Sequence, residues 1–298
     1  MDLVLPYVNA ADREWQQSIL RTTKTAVSNS SSVRFRSWGT LKYLFRGVAQ
    51  YMPFIDRIVL IVASKSQVPV WINYENVRIV YHDEFIPSKF LPTFNSCTIE
   101  SFLYNIEGLS DRFIYANDDI FAINPCSIDD FFTEDVPHIK YVIHDKYTLN
   151  NTFRCQCRSG MDLIMSKLNT PEYEQGYIIR PYHITSPMTT ECLSAVKQLC
   201  GNDIENTVSR LREPRNINQY IYLYYQYFMD NYVDSIVSYK YYTLSDKFIS
   251  DICKAILGRD YKLVCLNDSG KVSDYSALKS RLLSAFKQKF PNRCKYEN

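Results

Sequence analysis

The sequence predicts an α/β fold in which a mainly parallel sheet is flanked by helices. Three observations support this fold class: buried-strand patterns, helical patterns, and their regular alternation. Short apolar runs that are typical of strands cover residues 3–7, 58–62, 77–81 and 113–116. The run at 58–62, IVLIV, is continuous and mostly β-branched, as expected for a strand covered on both faces. Alternating strands and helices are typical of a parallel sheet.

Helical patterns separate these strands. Asn95 or Ser96 can cap a helix that runs to about Glu107 and is closed by Gly108. An earlier helix is predicted over residues 38–52 and is stopped by Pro53. Its apolar residues recur every three or four positions and are Trp38, Leu41, Phe45, Val48 and Met52.

The second half of the chain is less regular and more helical. A long Tyr-rich helix is predicted over residues 212–232 and an amphipathic helix over 276–290. Together these patterns predict a catalytic α/β domain at 1–245 and a helical C-terminal region at 246–298. The polar, Ser-rich stretch at 22–33 is predicted to be a mobile loop.

Composition places the chain among folded soluble proteins. It has 298 residues, of which 46% are hydrophobic and 22% charged, and a net charge of +2, so nothing in its charge calls for nucleic acid. We find no uninterrupted apolar run of 18 residues and no signal peptide at the start, which favours a cytoplasmic protein. Nine scattered cysteines favour thiols over a disulfide framework.

The stretch FIYANDDIF, residues 113–121, carries the strongest chemical signal. It places Asp118 and Asp119 at the end of a buried strand, where ligands bind in parallel-sheet folds. Two carboxylates there could hold Mg²⁺ or Mn²⁺ against the pyrophosphate of a nucleotide sugar, with Asn117 adding a neutral oxygen. The alternative is a polar turn closed by side-chain hydrogen bonds.

His183, in RPYHITSPM, is a candidate general base because it lies between two prolines outside any predicted helix. The alternative is a histidine hydrogen-bonded within its loop. Three arginines flank the start of the first long helix and three precede the Tyr-rich helix, and each set could clamp phosphate or simply be solvated. They are Arg34, Arg36, Arg46, Arg210, Arg212 and Arg215.

Four blocks of the sequence together resemble the Stealth family. They cover about 2–15 (DLVLPYVNAADREW), 34–132, 180–191 (with PYHITSPM) and 210–229 (with LREPRNINQYIYLYYQYFM). The second block is the most specific, because LPTFNS, IE, GLS, FIY and NDD stand at the family's spacing. Members are sugar-1-phosphate transferases of bacterial capsule and cell-surface polysaccharide synthesis, and the short form here resembles the streptococcal type. The animal enzyme that makes the mannose-6-phosphate lysosomal tag is a relative.

The resemblance implies a nucleotide-sugar transferase with specific site residues. His183 would act as base near the acceptor hydroxyl, Asp118 and Asp119 would be the paired metal acids, and Arg212 would bind phosphate. Further positions are expected to contact the substrate: Asp2, Tyr7, Val8, Asn9, Arg34, Arg46, Asn95, Glu100, Asn117 and Asn218. Ser37 stands where members commonly have Asp, and no second histidine lies near His183.

The reaction implied by the resemblance is transfer of hexose-1-phosphate or N-acetylhexosamine-1-phosphate from a UDP-sugar to a sugar hydroxyl, with release of UMP. Mg²⁺ or Mn²⁺ is the implied cofactor, and the acceptor would be a lipid-linked glycan at the inner face of the cytoplasmic membrane. Two alternatives stay open. A metal-dependent glycosyltransferase that releases UDP would use the same strand-end acids, metal and nucleotide sugar. The other is an inactive glycan-binding scaffold, against which the intact Asp118, Asp119 and His183 argue.

The C-terminal helix leaves two interpretations open. Residues 271–298 carry seven Lys or Arg and two Asp or Glu, a net charge of +5. The helix at 276–290 could therefore lie on an anionic membrane surface. Alternatively, its apolar face packs on the catalytic domain.

Overall fold

The helices and strands are given for residues 1–23, 33 and 35–298, which are the residues that the computed structural model describes. The α-helices are α1 (Arg13–Thr23), α2 (Leu41–Tyr51), α3 (His82–Phe85), α4 (Ser96–Ser101), α5 (Thr152–Leu168), α6 (Thr190–Glu205), α7 (Tyr220–Phe228), α8 (Ile249–Leu257) and α9 (Tyr275–Lys289). The strands are β1 (Asp2–Pro6), β2 (Arg57–Val62), β3 (Val77–Tyr81), β4 (Arg112–Tyr115), β5 (Ile120–Ala122), β6 (Phe132–Thr133), β7 (Val136–Ile139), β8 (Tyr141–Lys146), β9 (Tyr177–Pro181), β10 (Ser186–Thr189), β11 (Val233–Asp234), β12 (Tyr239–Leu244) and β13 (Leu263–Asp268).

The central sheet has five strands in the order β10-β4-β1-β2-β3. Strands β1 to β4 run parallel to one another, with Val4 opposite both Val59 and Tyr115, and only the edge strand β10 is antiparallel. The predicted mainly parallel sheet is confirmed. Alternate residues of each strand face opposite sides, so Leu3 and Val4 belong to two different apolar clusters, one on each face of the sheet.

A second sheet of three strands, β12-β13-β5, joins the C-terminal region to the rest of the molecule. Strand β13 is antiparallel to β5 and parallel to β12. Residues 246–298 therefore supply a central strand as well as helices. The apolar residues of α9 are buried in the same cluster as β1 and β2, which is the packing alternative expected for this helix: Leu278, Leu282, Ala285 and Phe286.

The Tyr-rich helix predicted over 212–232 is shorter than expected, because only Tyr220–Phe228 is helical. Backbone groups in and before the preceding segment instead form hydrogen bonds with the Asn216 side chain. Its Oδ1 accepts from the Glu213 backbone N–H (2.6 Å), and its Nδ2 donates to the Thr207 carbonyl (2.7 Å). Such side-chain bonds give the backbone an alternative to helical hydrogen bonding. The prediction of a helix over 212–219 was wrong for this reason.

Two further expectations concern the loop and the cysteines. Thr22 and Thr23 close α1, while residues 24–32 of the predicted mobile loop lie outside the described residues. No disulfide joins any of the nine cysteines, all of which are in the described part of the chain. Among the described helices, none has both the length and the apolar character needed to cross a membrane.

Gly47 lies where α2 packs tightly against β5 of the second sheet. A Cβ atom built on Gly47 would lie 2.4 Å from the Ala122 carbonyl oxygen, closer than real Cβ contacts allow. We expect Gly47→Ala to lower the free energy of unfolding in urea by about 1–3 kcal/mol, as overpacking does. Gly160→Ala is the control, because its Cβ would meet Tyr224 at an ordinary 3.5 Å. Unchanged stability of Gly47→Ala would show that the contact relaxes freely.

Candidate active site

The carboxyl ends of the parallel strands open into one cleft of about 1440 Å³. Tyr7 and Val8 follow β1, Ala63 follows β2, and His82 follows β3, and all of them line this cleft. The turn after β4 contributes Asn117, Asp118 and Asp119 to the same cleft. Parallel strands bring their ends to one edge, so the position of the acids follows directly from the sheet.

The turn between β4 and β5 places Asp118 and Asp119 where the two sheets meet. It is closed by a hydrogen bond from the Ile120 N–H to the Asn117 carbonyl (3.2 Å). After the turn, β5 leaves the central sheet and pairs with β13. The Leu266 N–H of β13 donates to the Asp119 carbonyl (2.8 Å), which holds the turn against the second sheet.

Asp119 contacts His183 across the cleft. The distance from His183 Nε2 to Asp119 Oδ2 is 3.6 Å, and Asn267 Nδ2 lies 3.5 Å from the same oxygen. The other oxygen, Oδ1, is buried and has no hydrogen-bond partner within the described residues, although the Cys265 thiol is nearby. A buried carboxylate oxygen without a partner is costly, so a cation bound beside it would stabilise the folded site.

The two adjacent acids have opposite pKa shifts. The side chain of Asp118 opens to the cleft, yet protein surrounds it on its other sides. That loss of solvation, followed by repulsion from Asp119, raises the pKa of Asp118 to about 7. Burial also acts to raise the pKa of Asp119, but His183 and Asn267 outweigh it, and the pKa of Asp119 is lowered. Asp119 is therefore charged at neutral pH, whereas Asp118 needs a positively charged partner to ionise fully.

His183 is held between Asp119 and Tyr220. Its Nδ1 lies 3.5 Å from the Tyr220 hydroxyl, while Nε2 faces Asp119. Burial opposes the charged imidazolium, but the Asp119 carboxylate outweighs burial, so the pKa of His183 is raised. A proton on Nε2 that points to Asp119 leaves the lone pair on Nδ1, which is the arrangement that a general base requires.

Three potential metal-ligand side chains meet at this turn. Ligand atoms of Asp119, His183 and Cys265 lie within 4.8 Å of one another. Burial, followed by the charge of Asp119, raises the pKa of Cys265 well above its usual value, so this residue remains a thiol. Carboxylate oxygens are the ligands that Mg²⁺ and Mn²⁺ prefer. Of this set, the carboxylate of Asp119 suits such an ion best, and Asp118 is the adjacent acid that also lines the cleft.

Three other predicted residues line the same cleft. Glu100 is buried, and its carboxylate accepts from the Tyr115 hydroxyl and the Gln219 N–H (3.1 Å each). Burial raises the pKa of Glu100, an effect opposed first by the charge of Arg212. Arg212 donates to the Ser96 hydroxyl, and Asn218 accepts from the Tyr220 N–H (3.1 Å). The structure thus brings the second, third and fourth sequence blocks together around Asp118 and Asp119.

Asp2 and Arg46 lie away from the cleft and form ion pairs that support the fold. Asp2 begins β1, at the end of the strand opposite Tyr7, and accepts two hydrogen bonds from Arg57 (2.9 and 2.8 Å). Arg46 donates to both oxygens of Glu297 (2.6 and 2.8 Å). Each guanidinium is engaged by a carboxylate, which leaves little capacity to bind phosphate.

Asn9 and Asn95 have local partners and do not line the cleft either. The backbone of Asn9 is bonded to the Gln67 side chain, and its Oδ1 accepts from the Ala11 N–H. Asn95 caps α4, as predicted, and its Nδ2 donates to Asn216 Oδ1 (2.8 Å). Arg34, the remaining predicted position, lies outside the described residues.

Several cleft residues were not singled out from the sequence. Asn267 and Asp268 end β13, and Asp268 accepts from Arg36 Nε (2.5 Å) and Nη2 (2.7 Å). The run LVCLND, an apolar strand that ends in Asn-Asp, repeats the pattern of FIYANDD and could have revealed them. Arg180, which is bonded to Asp145 (2.6 Å), also lines the cleft. It lies only three residues before His183.

Comparisons with known proteins agree with these blocks. The family model "Stealth protein CR2, conserved region 2" matches residues 34–140. A capsular polysaccharide phosphotransferase of Streptococcus pneumoniae is 25% identical over 100% of this chain and 98% of its own length. A receptor polysaccharide phosphotransferase of Streptococcus oralis is 26% identical over 100% and 99%. An exopolysaccharide phosphotransferase of Lactiplantibacillus plantarum is 39% identical, over 45% of this chain and 40% of its own length.

Among solved structures, the galactosyltransferase LgtC with donor and acceptor sugar analogues aligns over 97% of this chain and 96% of its own, with a TM-score of 0.43 and 9% identity. The identification of this protein comes from the sequence relatives. Their phosphotransferase names and the matched conserved region agree with the paired acids and the histidine in one cleft. Residues 34–140 thus match a Stealth conserved region, and the chain is an enzyme that is similar over its whole length to polysaccharide phosphotransferases.

Proposed function

We propose that this enzyme transfers hexose-1-phosphate or N-acetylhexosamine-1-phosphate from a UDP-sugar to a hydroxyl of a growing surface polysaccharide. The observation that carries the proposal is the meeting of Asp118, Asp119 and His183 in one cleft, beside Arg212. Acids, a base and a guanidinium in one cleft are the groups that phosphoryl transfer uses. The polysaccharide phosphotransferases of similar sequence support the same reaction class.

The bond changes define what each residue must do. The acceptor oxygen forms a bond to the β-phosphorus, the bond from that phosphorus to the oxygen shared with the α-phosphate breaks, and UMP leaves. The hydroxyl proton passes to His183 Nδ1, while Asp119 holds the ring through Nε2 and favours the imidazolium. This arrangement needs the Tyr220 hydroxyl, 3.5 Å from Nδ1, to share that nitrogen with the acceptor.

The reaction also requires stabilisation of the negative charge on the transferring phosphoryl group. Asp118 and Asp119 would hold Mg²⁺ or Mn²⁺, and a bound ion of this kind neutralises charge on pyrophosphate oxygens. Arg212 lines the cleft and is proposed to bind a phosphate oxygen. Tyr7, Val8 and Asn117, at the strand ends, are proposed to contact the nucleotide.

Glu100 and Asn218 are proposed to bind the donor sugar. Glu100 is buried at the cleft wall and held in place by the Tyr115 hydroxyl and the Gln219 N–H. A carboxylate fixed in this way can accept hydrogen bonds from sugar hydroxyls, and it rejects analogues that lack them, because its oxygens would then stay unpaired.

The nucleotide product tests the reaction. We expect UMP to form in step with transfer, and ³¹P NMR of the glycan to show a phosphodiester, because the acceptor attacks phosphorus and not the anomeric carbon. The measurement is product analysis by chromatography with a panel of UDP-hexoses and UDP-N-acetylhexosamines in Mn²⁺. Stoichiometric UDP, without phosphorus in the glycan, would overturn the proposal and leave a metal-dependent glycosyltransferase.

The acceptor is proposed to be a lipid-linked glycan at the inner face of the membrane. The apolar face of α9 is buried, so membrane contact would use exposed basic residues such as Lys271 and Lys287. We expect the double charge reversal Lys271→Glu/Lys287→Glu to weaken co-sedimentation with phosphatidylserine vesicles by about tenfold or more, at roughly 1 kcal/mol per charge. Neutral vesicles are the control, and equal co-sedimentation of variant and wild type would remove the membrane proposal.

A further inference from the structure

Three tyrosines, Tyr182, Tyr239 and Tyr241, form one aromatic wall of the cleft, which we call the tyrosine wall. Tyr239 and Tyr241 are two residues apart on β12, so they share a face. Lys240 and Tyr242 occupy the other face, where Lys240 Nζ lies 5.9 Å from the Tyr242 ring centroid. The strand therefore points the rings of Tyr239 and Tyr241 into the cleft, and Lys240 and Tyr242 point away from it.

The third ring comes from a different part of the chain. Tyr182 follows β9, and its ring centroid lies 5.7 Å from that of Tyr239 in an edge-to-face arrangement. Its backbone N–H donates to the Lys140 carbonyl (2.9 Å), which holds the residue in place. Tyr241 lies 6.1 Å from the His183 ring, also edge to face. The wall thus ends directly beside the candidate base.

Tyr241 remains 41% exposed although its ring lies edge to face with that of His183. A tyrosine ring combines a large apolar surface with a hydroxyl, so an exposed one in a cleft suits ligands that have both apolar faces and hydroxyl groups. A pyranose ring is such a ligand, because its C–H groups lie on its faces and its hydroxyls at its edge.

The cleft has room for a second substrate beyond the donor. Its volume of about 1440 Å³ exceeds the roughly 300–1,000 Å³ that is typical of pockets for one small ligand. The tyrosine wall also stands at a suitable distance from the acids. Strand β5 begins directly after Asp119, and β12 is the second strand from it. At about 4.8 Å per strand, β12 lies roughly 10 Å from β5. This distance is comparable to the combined length of one sugar ring and the phosphate group that its hydroxyl attacks.

We propose that the tyrosine wall is the acceptor subsite, where one pyranose ring of the glycan stacks on Tyr241 and Tyr239 and points a hydroxyl at His183. This proposal rests on the proposed function, because it assigns the acceptor side of that reaction. The wall positions the acceptor, and the expected effect of losing it is weaker acceptor binding with unchanged donor binding.

Saturation-transfer NMR tests the subsite with defined sugars. The probes are methyl β-galactopyranoside, methyl β-glucopyranoside and methyl N-acetyl-β-glucosaminide, each added to the full chain. We expect the wild type to saturate the ring protons of at least one probe. Tyr241→Ala should weaken that binding by about tenfold, the value of one aromatic contact. Tyr241→Phe, which keeps the ring, should retain it.

Lys240→Ala is the matched control, because Lys240 is exposed on the opposite face of the same strand. UDP binding, measured by calorimetry with Mn²⁺, should be equal in wild type and Tyr241→Ala. Weaker UDP binding by Tyr241→Ala would assign the wall to the donor and overturn the proposal. Equal probe signals in Tyr241→Ala and wild type, or no signal from any probe with the wild type, would also overturn it.

These outcomes are separate from failure of the proposed function. The nature of the nucleotide product, UMP or UDP, is measured on the wild type and does not depend on Tyr241. A UDP product together with Tyr241-dependent probe binding would reject the phosphotransfer chemistry and leave the sugar subsite intact. A UMP product without Tyr241-dependent probe binding would support the phosphotransfer chemistry and reject the sugar subsite.

Discussion

Asp119→Asn is expected to reduce metal-dependent transfer by about 10²-fold or more, the usual cost of losing a charge-stabilising contact at a phosphoryl group. The substitution removes the negative charge from the buried oxygen Oδ1, which has no hydrogen-bond partner among the described residues, and from the oxygen that faces His183. Stabilisation of the folded protein by Mn²⁺, measured as a shift in melting temperature, should fall together with turnover because both depend on the same carboxylate.

Asp118→Asn should have a different signature. The pKa of Asp118 is about 7 in the folded protein, against an ordinary value of 3.8. Between these values the folded state binds the extra proton, so the free energy of unfolding without metal falls as pH rises through this window. The asparagine variant should lose this contribution to the pH dependence and be more stable than the wild type above pH about 7, yet gain less from Mn²⁺.

Asp83→Asn is the control for both acids, because Asp83 is exposed and does not line the cleft. It should retain wild-type turnover and the wild-type Mn²⁺ shift. If Asp118→Asn and Asp119→Asn both kept near-wild-type activity and Mn²⁺ stabilisation, the metal assignment would be wrong. In that case the acids would form only a polar turn, the alternative that their sequence left open.

His183→Ala is expected to lower kcat by about 10² to 10⁴-fold, the range for loss of a general base. Donor binding should change little, since a base acts in the transition state. The pKa of His183 is raised by Asp119, so the neutral, basic form is present only above that pKa. Wild-type kcat should therefore rise with pH through the pKa of His183, and the variant should lose this dependence.

His144→Ala is the matched control, because His144 is an exposed histidine that contacts Glu174 (3.2 Å) away from the cleft. The Mn²⁺ shift in melting temperature distinguishes a base from a ligand. If His183→Ala abolished the Mn²⁺ shift, His183 would be a metal ligand, as its closeness to Asp119 and Cys265 also permits. A variant that failed to fold would show that His183 has a structural role.

Strand and helix patterns in the sequence were enough to predict the central sheet. The four predicted strands became β1 to β4, and the Asn95 cap begins α4 as expected, but α4 ends at Ser101 and the predicted extension to about Glu107 was wrong. These features depend on residues close together in the chain, so local periodicity and capping reveal them. The predicted helix over residues 212–219 failed because Asn216 bonds to backbone groups up to nine residues away and to Asn95, which no helical pattern records.

The sequence by itself determined the position of Asp118 and Asp119, because an apolar strand that ends in acids must place them at the sheet edge where parallel strands end. It could not determine which charged residues face the cleft. Arg46 pairs with Glu297, 251 positions away, and Asp2 pairs with Arg57, 55 positions away. Burial of a guanidinium or carboxylate is tolerable only beside an opposite charge, and long-range packing alone decides which partner is near. The same packing of β12 through β13 onto β5 placed the tyrosine wall beside His183.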